Sequence, residues 1–99
     1  MYYNAYETEE YSEWLSTQSL KSRMQIHDRI SKIEDEGYFG NHKYLADEDI
    51  WELKFNDGRR IYYVVIEDMD VILLLGGNKN GQTKDIKKAS SILRKISDG

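Results

Sequence analysis

Residues 50–75 read IWELKFNDGRRIYYVVIEDMDVILLL and decide the fold. The first segment, Ile50–Phe55, alternates large apolar residues with charged ones, which predicts a strand with one buried and one solvated face. An Asn-Asp-Gly turn signal is followed by Arg59–Glu67, which is dense in β-branched and aromatic residues and predicts a second strand. A tight turn at 68–70 leads to a third strand at Val71–Leu75. Connections this short join antiparallel neighbours, so the stretch predicts a three-stranded meander.

The segments on either side of the meander complete an α+β domain. An aromatic-rich start at Tyr2–Glu7 suits a first strand, which we expect to pair with a meander strand and close the sheet. Apolar residues at helical spacing then predict two helices separated by a break near Ser16–Ser19, with Thr8 placed to cap the first. Beyond a polar loop, the apolar stripe of Ile86–Ile96 predicts a final helix. The expected fold is a single domain over residues 1–99, in the order β-α-α-β-β-β-α, with the helices packed on an antiparallel sheet.

Composition and charge restrict the classes of protein to which the chain can belong. The 99 residues fit one domain, and the absence of cysteine excludes disulfides, thiolate nucleophiles and cysteine zinc sites. No apolar run suits a signal peptide or a membrane span, so we expect a cytoplasmic protein. The net charge is −4, but residues 1–50 carry −6 (5 basic, 11 acidic) and residues 51–99 carry +2 (9 basic, 7 acidic). A locally basic segment can still bind a polyanion, because the field near the site matters more than the total charge.

A group of cations is the most suggestive chemical feature of the meander. Lys54 lies with Glu52 on the solvated face of its predicted strand, and Arg59 and Arg60 open the next strand across the turn. Neighbours along a strand alternate in direction, so only one of the two arginines can share the face of Lys54. If the loop 79–84 folds over that face, its lysines add to a cationic surface that suits a phosphate group. The alternative is an ordinary solvated sheet face.

The two histidines offer little further chemistry. His27 lies near the apolar stripe of the second predicted helix, where we expect a structural role. His42 lies in a predicted loop before the meander and is a candidate general acid or base, because imidazole titrates near neutral pH. The chain contains no phosphate-binding loop, no dinucleotide fingerprint, and no zinc-protease or serine-hydrolase motif. We therefore expect neither a metal nor a cofactor.

Three blocks of sequence follow one another in the second half of the chain. They are IWELKF at 50–55, GRRIYY at 58–63, and LLLGGNK at 73–79 continued by Gln82, Lys84–Lys87 and Ala89. Together these blocks resemble the RelE/ParE toxin superfamily, and within it most closely the HigB-like "addiction module killer" branch, which includes phage-derived members. The resemblance implies the small RelE-like domain, an antiparallel sheet with an N-terminal helical hairpin and a C-terminal helix.

The resemblance also implies the toxin of a type II toxin–antitoxin system, an endoribonuclease (mRNA interferase) that inhibits translation by cleaving mRNA on the ribosome. In the implied reaction, the ribose 2′-hydroxyl attacks the adjacent phosphorus without a metal ion, which gives a cyclic phosphate and a free 5′-hydroxyl. By the family pattern, Lys54, Arg60 and Lys79 stabilise the transition state, and Lys54 or His42 transfers the proton. The implied contacts to the RNA backbone are Lys43, Arg59, Lys84 and Lys87.

The implied partners are the ribosome, mRNA and a cognate antitoxin, in this branch commonly a helix-turn-helix protein. Two other functions stay open: a ParE-like inhibitor of DNA gyrase, which would depend more on the helical hairpin, and a non-catalytic member that only binds its partner. The acidic net charge favours the last, as does the absence of any tyrosine after Tyr63, since some members carry one near the substrate. Charge reversal at Arg60 separates the nuclease from the other two functions, because it should abolish toxicity only for the nuclease.

Overall fold

The sheet has five strands, one more than the sequence predicted. The computed structural model describes residues 2–98. Its strands are β1 (Asn4–Glu7), β2 (His42–Leu45), β3 (Ile50–Lys54), β4 (Arg59–Ile66) and β5 (Asp70–Asn78). They lie in the order β1-β5-β4-β3-β2, with β1 parallel to β5 and every other pair antiparallel. The meander and the pairing of the first strand with a meander strand are therefore confirmed, whereas the expected antiparallel sheet is a mixed one, because β1 runs parallel to β5.

Strand β2 is the element that the sequence analysis missed. The prediction of a loop around His42 was wrong, because this segment pairs with β3 and forms one edge of the sheet. A four-residue turn at 46–49 joins the two strands, and Asp49 adopts a φ of +57° at its end. The four residues of β2 show no apolar alternation of their own, and three of them are exposed. Their strand conformation therefore depends on pairing with β3, which a local pattern does not report.

Three helices cover the sheet, two on one face and one on the other. They are α1 (Glu9–Ser16), α2 (Leu20–Glu36) and α3 (Gln82–Asp98), and a single 3₁₀ turn at Lys79–Gly81 precedes α3. Thr8 caps α1 as predicted, since its hydroxyl accepts a hydrogen bond from the backbone N–H of Tyr11 at 3.0 Å. Gly37 ends α2 with a φ of +69°, a conformation that glycine adopts without strain. None of the helices within residues 2–98 combines the length and the apolar character needed to cross a membrane.

Both faces of the sheet carry an apolar core. Between the sheet and the α1–α2 pair, the buried residues are Tyr11, Ile26, Ile33, Leu53, Ile61, Tyr63, Val71 and Leu73. Between the sheet and α3, they are Ile50, Tyr62, Val64, Leu74, Leu75, Ala89 and Ile92. The prediction of a solvated face on β3 was wrong for this reason. The third helix covers the face that carries Glu52, and that residue is 0% exposed.

Candidate functional site

Lys54 and Arg60 lie directly opposite each other, where β3 and β4 meet their connecting turn. Lys54 alternates with Leu53, which is buried against the α1–α2 pair, so Lys54 lies on the α3 face of the sheet. Directly paired residues share a face, so Arg60 is the arginine that joins Lys54, and Arg59 lies on the opposite face. The structure thus brings together two of the three cations for which the sequence predicted a catalytic role.

The Arg60 side chain is held inward but keeps one edge of its guanidinium open. Nη1 donates to the backbone carbonyls of Arg59 at 2.9 Å and Phe55 at 3.4 Å. Nε lies 3.8 Å from Oε2 of Glu52, and 14% of the Arg60 side chain is exposed. Nε is buried without a hydrogen-bond partner, whereas Nη2 is neither fully buried nor bonded to any of residues 2–98. Nη2 is therefore the donor that meets a ligand arriving from solvent.

Glu52 is the charged residue beneath Arg60, and the sequence analysis did not recognise it as a site residue. Its Oε2 accepts a hydrogen bond from Nε2 of Gln82 at 2.6 Å, and its Oε1 has no partner within the described chain. The neighbouring Tyr62 hydroxyl is also buried and lacks a hydrogen bond of normal geometry, although it lies near Glu52. Burial raises the pKa of Tyr62, and the charges of Glu52 and Asp85 and the contact with Glu52 add to the rise. Tyr62 therefore stays neutral, and Glu52 supplies the negative charge near Arg60. The apolar stripe of the last helix was the signal in the sequence that could have revealed the burial of Glu52, because such a stripe must pack on a face of the sheet.

Lys79 lies beside the turn that joins β3 to β4. Its backbone N–H donates to the carbonyl of Gly58 at 2.7 Å. Its side-chain carbons pass 3.4–3.5 Å from the position that a Cβ atom on Gly58 would occupy. This turn joins the ends of β3 and β4 at which Lys54 and Arg60 lie, so Lys79 is close to the pair. We refer to Lys54, Arg60 and Lys79 as the cationic corner.

Two of the lysines predicted to bind RNA flank the cationic corner. Lys43 on β2 lies opposite Glu52 in the sheet, so it shares the face of Lys54, and it is exposed. Lys84 is exposed in the first turn of α3 and is one of the positive charges acting on Asp85, which lies against Gly77 opposite Arg60. Both lysines extend positive charge from the cationic corner along the α3 side of the sheet.

Arg59 lies on the other face, where its guanidinium already has partners. Nε donates to Asp57 at 2.7 Å. Nη1 donates to the carbonyl of Ser22 at 3.2 Å, and Nη2 donates to Oε1 of Gln25 at 2.5 Å. The guanidinium also lies 5.0 Å from the ring centre of Phe55. These contacts tie the β3–β4 turn to α2 along a cleft of about 480 Å³, which Lys54 also borders.

Lys87 and His42 are also outside the cationic corner. Lys87 borders a cleft at the β2–β3 turn, the opposite end of β3 from Lys54. At the usual rise of a strand, the two ends of β3 are about 13 Å apart. His42 alternates with Lys43 along β2 and therefore lies on the face opposite Lys54, with its Nδ1 2.7 Å from the carbonyl oxygen of Gly40. The structure separates both residues from the cationic corner.

Asp85 is an acidic group near the cationic corner that the sequence analysis did not consider as a site residue. Its Oδ2 lies 2.1 Å from the position that a Cβ atom on Gly77 would occupy, and Gly77 is directly opposite Arg60. Burial raises the pKa of Asp85, and the positive charges of Lys84 and Lys88 oppose that shift. Within residues 2–98, no three His, Asp or Glu side chains are close enough together to bind a metal ion.

The cationic corner is suited to bind a phosphate group. Guanidinium N–H groups donate charge-assisted hydrogen bonds to phosphate oxygens, and ammonium groups add others from other directions. The open Nη2 of Arg60 supplies the first kind of donor, and Lys54 and Lys79 supply the second. Glu52 is buried on this face of the sheet, and Asp85 is the other acidic group near the corner.

Comparison with known proteins identifies the family of the chain. A family model described as "Phage derived protein Gp49-like (DUF891)" matches residues 13–96. An uncharacterized protein of Haemophilus influenzae is 35% identical over 89 residues, which cover 87% of this chain and 88% of that protein.

Two solved structures resemble the fold. A chain of the intact E. coli RelBE toxin–antitoxin complex matches with a TM-score of 0.64 and 18% identity, covering 77% of this chain and 95% of its own length. A mutant of the E. coli toxin RelE in the free state matches with a TM-score of 0.66 and 14% identity. The match covers 92% of this chain and 96% of the RelE chain. The predicted RelE-like α+β fold is confirmed, whereas the HigB-like branch stays a prediction. This chain belongs to the phage-derived Gp49-like family and has the fold of the RelE toxin superfamily.

Proposed function

We propose that the chain is the toxin of a toxin–antitoxin pair and that it cleaves mRNA bound to the ribosome. One observation carries the proposal: Lys54 and Arg60 are paired across two strands, beside the turn that Lys79 contacts. Membership of the Gp49-like family and the RelE fold support the assignment as a toxin. The partners would be the ribosome, mRNA and a cognate antitoxin, and the site of action would be the cytoplasm.

The proposed reaction is an internal displacement at phosphorus. The ribose 2′-hydroxyl loses its proton to a base and attacks the adjacent phosphorus, and the bond from phosphorus to the 5′ oxygen breaks. The 5′ oxygen takes up a proton, so the products are a 2′,3′-cyclic phosphate and a 5′-hydroxyl. Negative charge increases on the phosphoryl and leaving oxygens during this step. Arg60 would bind the phosphoryl oxygens through Nη2, while Lys54 and Lys79 stabilise the charge beside it.

Lys54 rather than His42 accepts the 2′-hydroxyl proton in this proposal: it would enter the reaction as the neutral amine and become, on taking the proton, the ammonium that stabilises the developing charge. Lys54 lies directly opposite Arg60, whereas His42 lies on the other face of the sheet. A general base must come within hydrogen-bond reach of the proton that it removes. Lys43 and Lys84 would hold the RNA backbone beside the cationic corner, since both are exposed on its side of the sheet.

A second candidate function is inhibition of a protein target without RNA cleavage. Leu20 and Met24 lie one turn apart on α2 and are 66% and 60% exposed. Exposed apolar residues at this spacing suit a protein contact, as a ParE-like gyrase inhibitor or a purely partner-binding member would require. This function would be insensitive to loss of the Arg60 cation.

Primer extension on a reporter mRNA, in a purified translation system with and without ribosomes, tests the proposal. The wild-type protein should produce cuts in register with codons only when ribosomes are present. Arg60→Ala should reduce cleavage by about 100-fold or more, the usual effect of removing a donor that stabilises transition-state charge. Lys32→Ala is the matched control, because it removes an exposed cation on α2 outside the site.

Each alternative outcome has a separate meaning. Intact mRNA with the wild-type protein would refute the nuclease function, and a gyrase supercoiling assay would then test the second candidate. Cuts on free RNA would retain the nuclease and refute its dependence on ribosomes. Equal cleavage by the wild-type and Arg60→Ala proteins would remove Arg60 from the site.

A further inference from the structure

We infer that Glu52 is a positioning residue for Arg60, whose buried carboxylate holds the guanidinium so that Nη2 alone faces the RNA phosphate. This inference rests on the proposed function, because it assigns a role within the same site. Glu52 is 0% exposed and lies on the same sheet face as Arg60. Three polar atoms in this small region are buried without partners among the described residues: Oε1 of Glu52, Nε of Arg60 and the hydroxyl of Tyr62.

The attraction between Glu52 and Arg60 is one of charge rather than of a direct hydrogen bond. Their closest atoms, Oε2 and Nε, are 3.8 Å apart, which is beyond hydrogen-bond distance but still a strong electrostatic contact in an interior. A guanidinium cannot lose its proton in a protein, so a largely enclosed arginine needs a negative charge nearby. Tyr62 is neutral, and Lys54 across the strand offers no negative charge. Asp85, the other carboxylate nearby, lies against Gly77 and forms no ion pair with Arg60 among the described residues, so Glu52, at 3.8 Å, is the carboxylate that draws Arg60 inward.

Gln82 fixes the carboxylate of Glu52. Its amide donates at 2.6 Å to Oε2, the same oxygen that lies nearest to Arg60. Gln82 is the first residue of α3, so the position of this helix sets the position of the carboxylate. Arg60 is then held on two sides, by Glu52 at Nε and by the backbone carbonyls of Arg59 and Phe55 at Nη1. The one guanidinium nitrogen outside this arrangement is Nη2.

Stability alone does not account for a carboxylate at this position. Burying a charged pair costs desolvation energy that the mutual attraction often fails to recover, and apolar residues of similar volume frequently serve as well or better. The pair here is long, and one carboxylate oxygen has no hydrogen bond from the described residues. The contribution that an apolar residue cannot make is to fix the direction of the arginine.

Two variants and one control test this role. Glu52→Gln removes the charge with almost no change in volume. Gln82→Ala retains every charge but removes the hydrogen bond that fixes Glu52. Thr83→Ala is the control, because Thr83 is the exposed neighbour of Gln82 on α3. The first readout is the rate at which the Nε–H proton of Arg60 exchanges with solvent, measured by NMR and assigned from its loss in Arg60→Lys. The second is kcat and KM for cleavage of ribosome-bound mRNA.

We expect Glu52→Gln to accelerate exchange of the Nε–H proton by about tenfold or more, because the guanidinium is released towards solvent. Cleavage should lose about 10- to 100-fold in kcat with little change in KM, as expected when a reacting group is misplaced. Gln82→Ala should shift both readouts in the same direction by a smaller factor, and Thr83→Ala should match the wild type.

Unchanged Nε–H exchange in a folded Glu52→Gln protein would overturn the inference. Faster exchange with an unchanged kcat would overturn it as well, because the position of Arg60 would then be irrelevant to the reaction. If Glu52→Gln does not fold, Gln82→Ala tests the inference instead, and unchanged Nε–H exchange or an unchanged kcat in that variant would overturn it. Absence of cleavage by the wild-type protein refutes the proposed function, and the exchange measurement still shows whether Glu52 holds Arg60.

Discussion

Replacing Gly76 by alanine should destabilise the domain, because the added Cβ atom would overlap the indole of Trp14. A Cβ atom at Gly76 would lie 2.1 Å from Cδ2 and Cε3 of Trp14. Carbon atoms in contact are about 3.5–4.0 Å apart, so the indole would have to retreat by about 1.4 Å or more. Trp14 packs on Tyr11 with 5.7 Å between ring centres, and Tyr11 is buried in the core. The displacement therefore extends beyond one side chain.

We expect Gly76→Ala to lower the free energy of unfolding by about 1–3 kcal/mol, the usual cost of overpacking a core. Gly76 does not have a positive φ, so backbone strain does not contribute to this cost. Where space permits, alanine in place of glycine would instead stabilise the chain by about 0.4–1 kcal/mol. Thermal unfolding followed by circular dichroism measures the difference, since each kcal/mol shifts the midpoint by about 4–8 °C in a domain of this size.

The neighbouring Gly77→Ala variant is the matched control for this prediction. Its Cβ atom would lie 2.1 Å from Oδ2 of Asp85, which is the far end of a side chain that can rotate away. The loss of stability should therefore be smaller than at Gly76. A Gly76→Ala protein as stable as the wild type, or equal losses at both positions, would refute the packing argument. Gly76 thus makes room for Trp14 of α1 on one face of the sheet, and Gly77 makes room for Asp85 of α3 on the other.

Asp85→Asn should raise stability at neutral pH, because burial raises the pKa of Asp85 and makes its ionised form the unfavourable one. Between the unfolded and the raised folded pKa, the folded state binds more protons, so wild-type stability falls as pH rises through that window. The gain in stability of Asp85→Asn over the wild type should therefore grow through this pH window and level off above it. Urea titrations of both proteins at several pH values check this, and a stability difference independent of pH would contradict it. Ser19→Ala should cost about 1 kcal/mol of stability, because Ser19 caps α2. Its hydroxyl accepts a hydrogen bond from the N–H of Ser22 at 3.2 Å. Urea unfolding measures the loss, and unchanged stability would show that the cap contributes nothing.

The elements that the sequence predicted correctly are those with strong local signals. The Asn-Asp-Gly turn predicted the β3–β4 connection, and Gly58 adopts a φ of +96° there. Thr8 predicted the start of α1 through its capping hydroxyl. Strand β2 gave no such signal, because its conformation comes from pairing with β3 at an edge of the sheet. Local patterns report turns and caps, whereas an edge strand depends on its neighbour.

The cationic corner was predictable only in part. Alternation along a strand shows that one arginine shares the face of Lys54, and the register of β3 with β4 identifies it as Arg60. Which charges already have partners depends on residues far away in the sequence. Arg59 is occupied by Gln25 of α2, 34 positions earlier. Glu52 is enclosed by α3 and bonded to Gln82, 30 positions later, so its burial could not be read from its own strand.

The most direct test of the central claim removes the attacking hydroxyl from the substrate and leaves the protein unchanged. A reporter mRNA would carry a single 2′-deoxy nucleotide on the 5′ side of a bond that the wild-type protein cuts, with an all-ribose reporter as the control. Both would be incubated with purified ribosomes and the protein, and the cuts would be mapped by primer extension. We predict that cleavage disappears at the deoxy position and continues at the other sites. Cleavage at the deoxy position at an unchanged rate would contradict a mechanism in which the 2′ oxygen is the nucleophile.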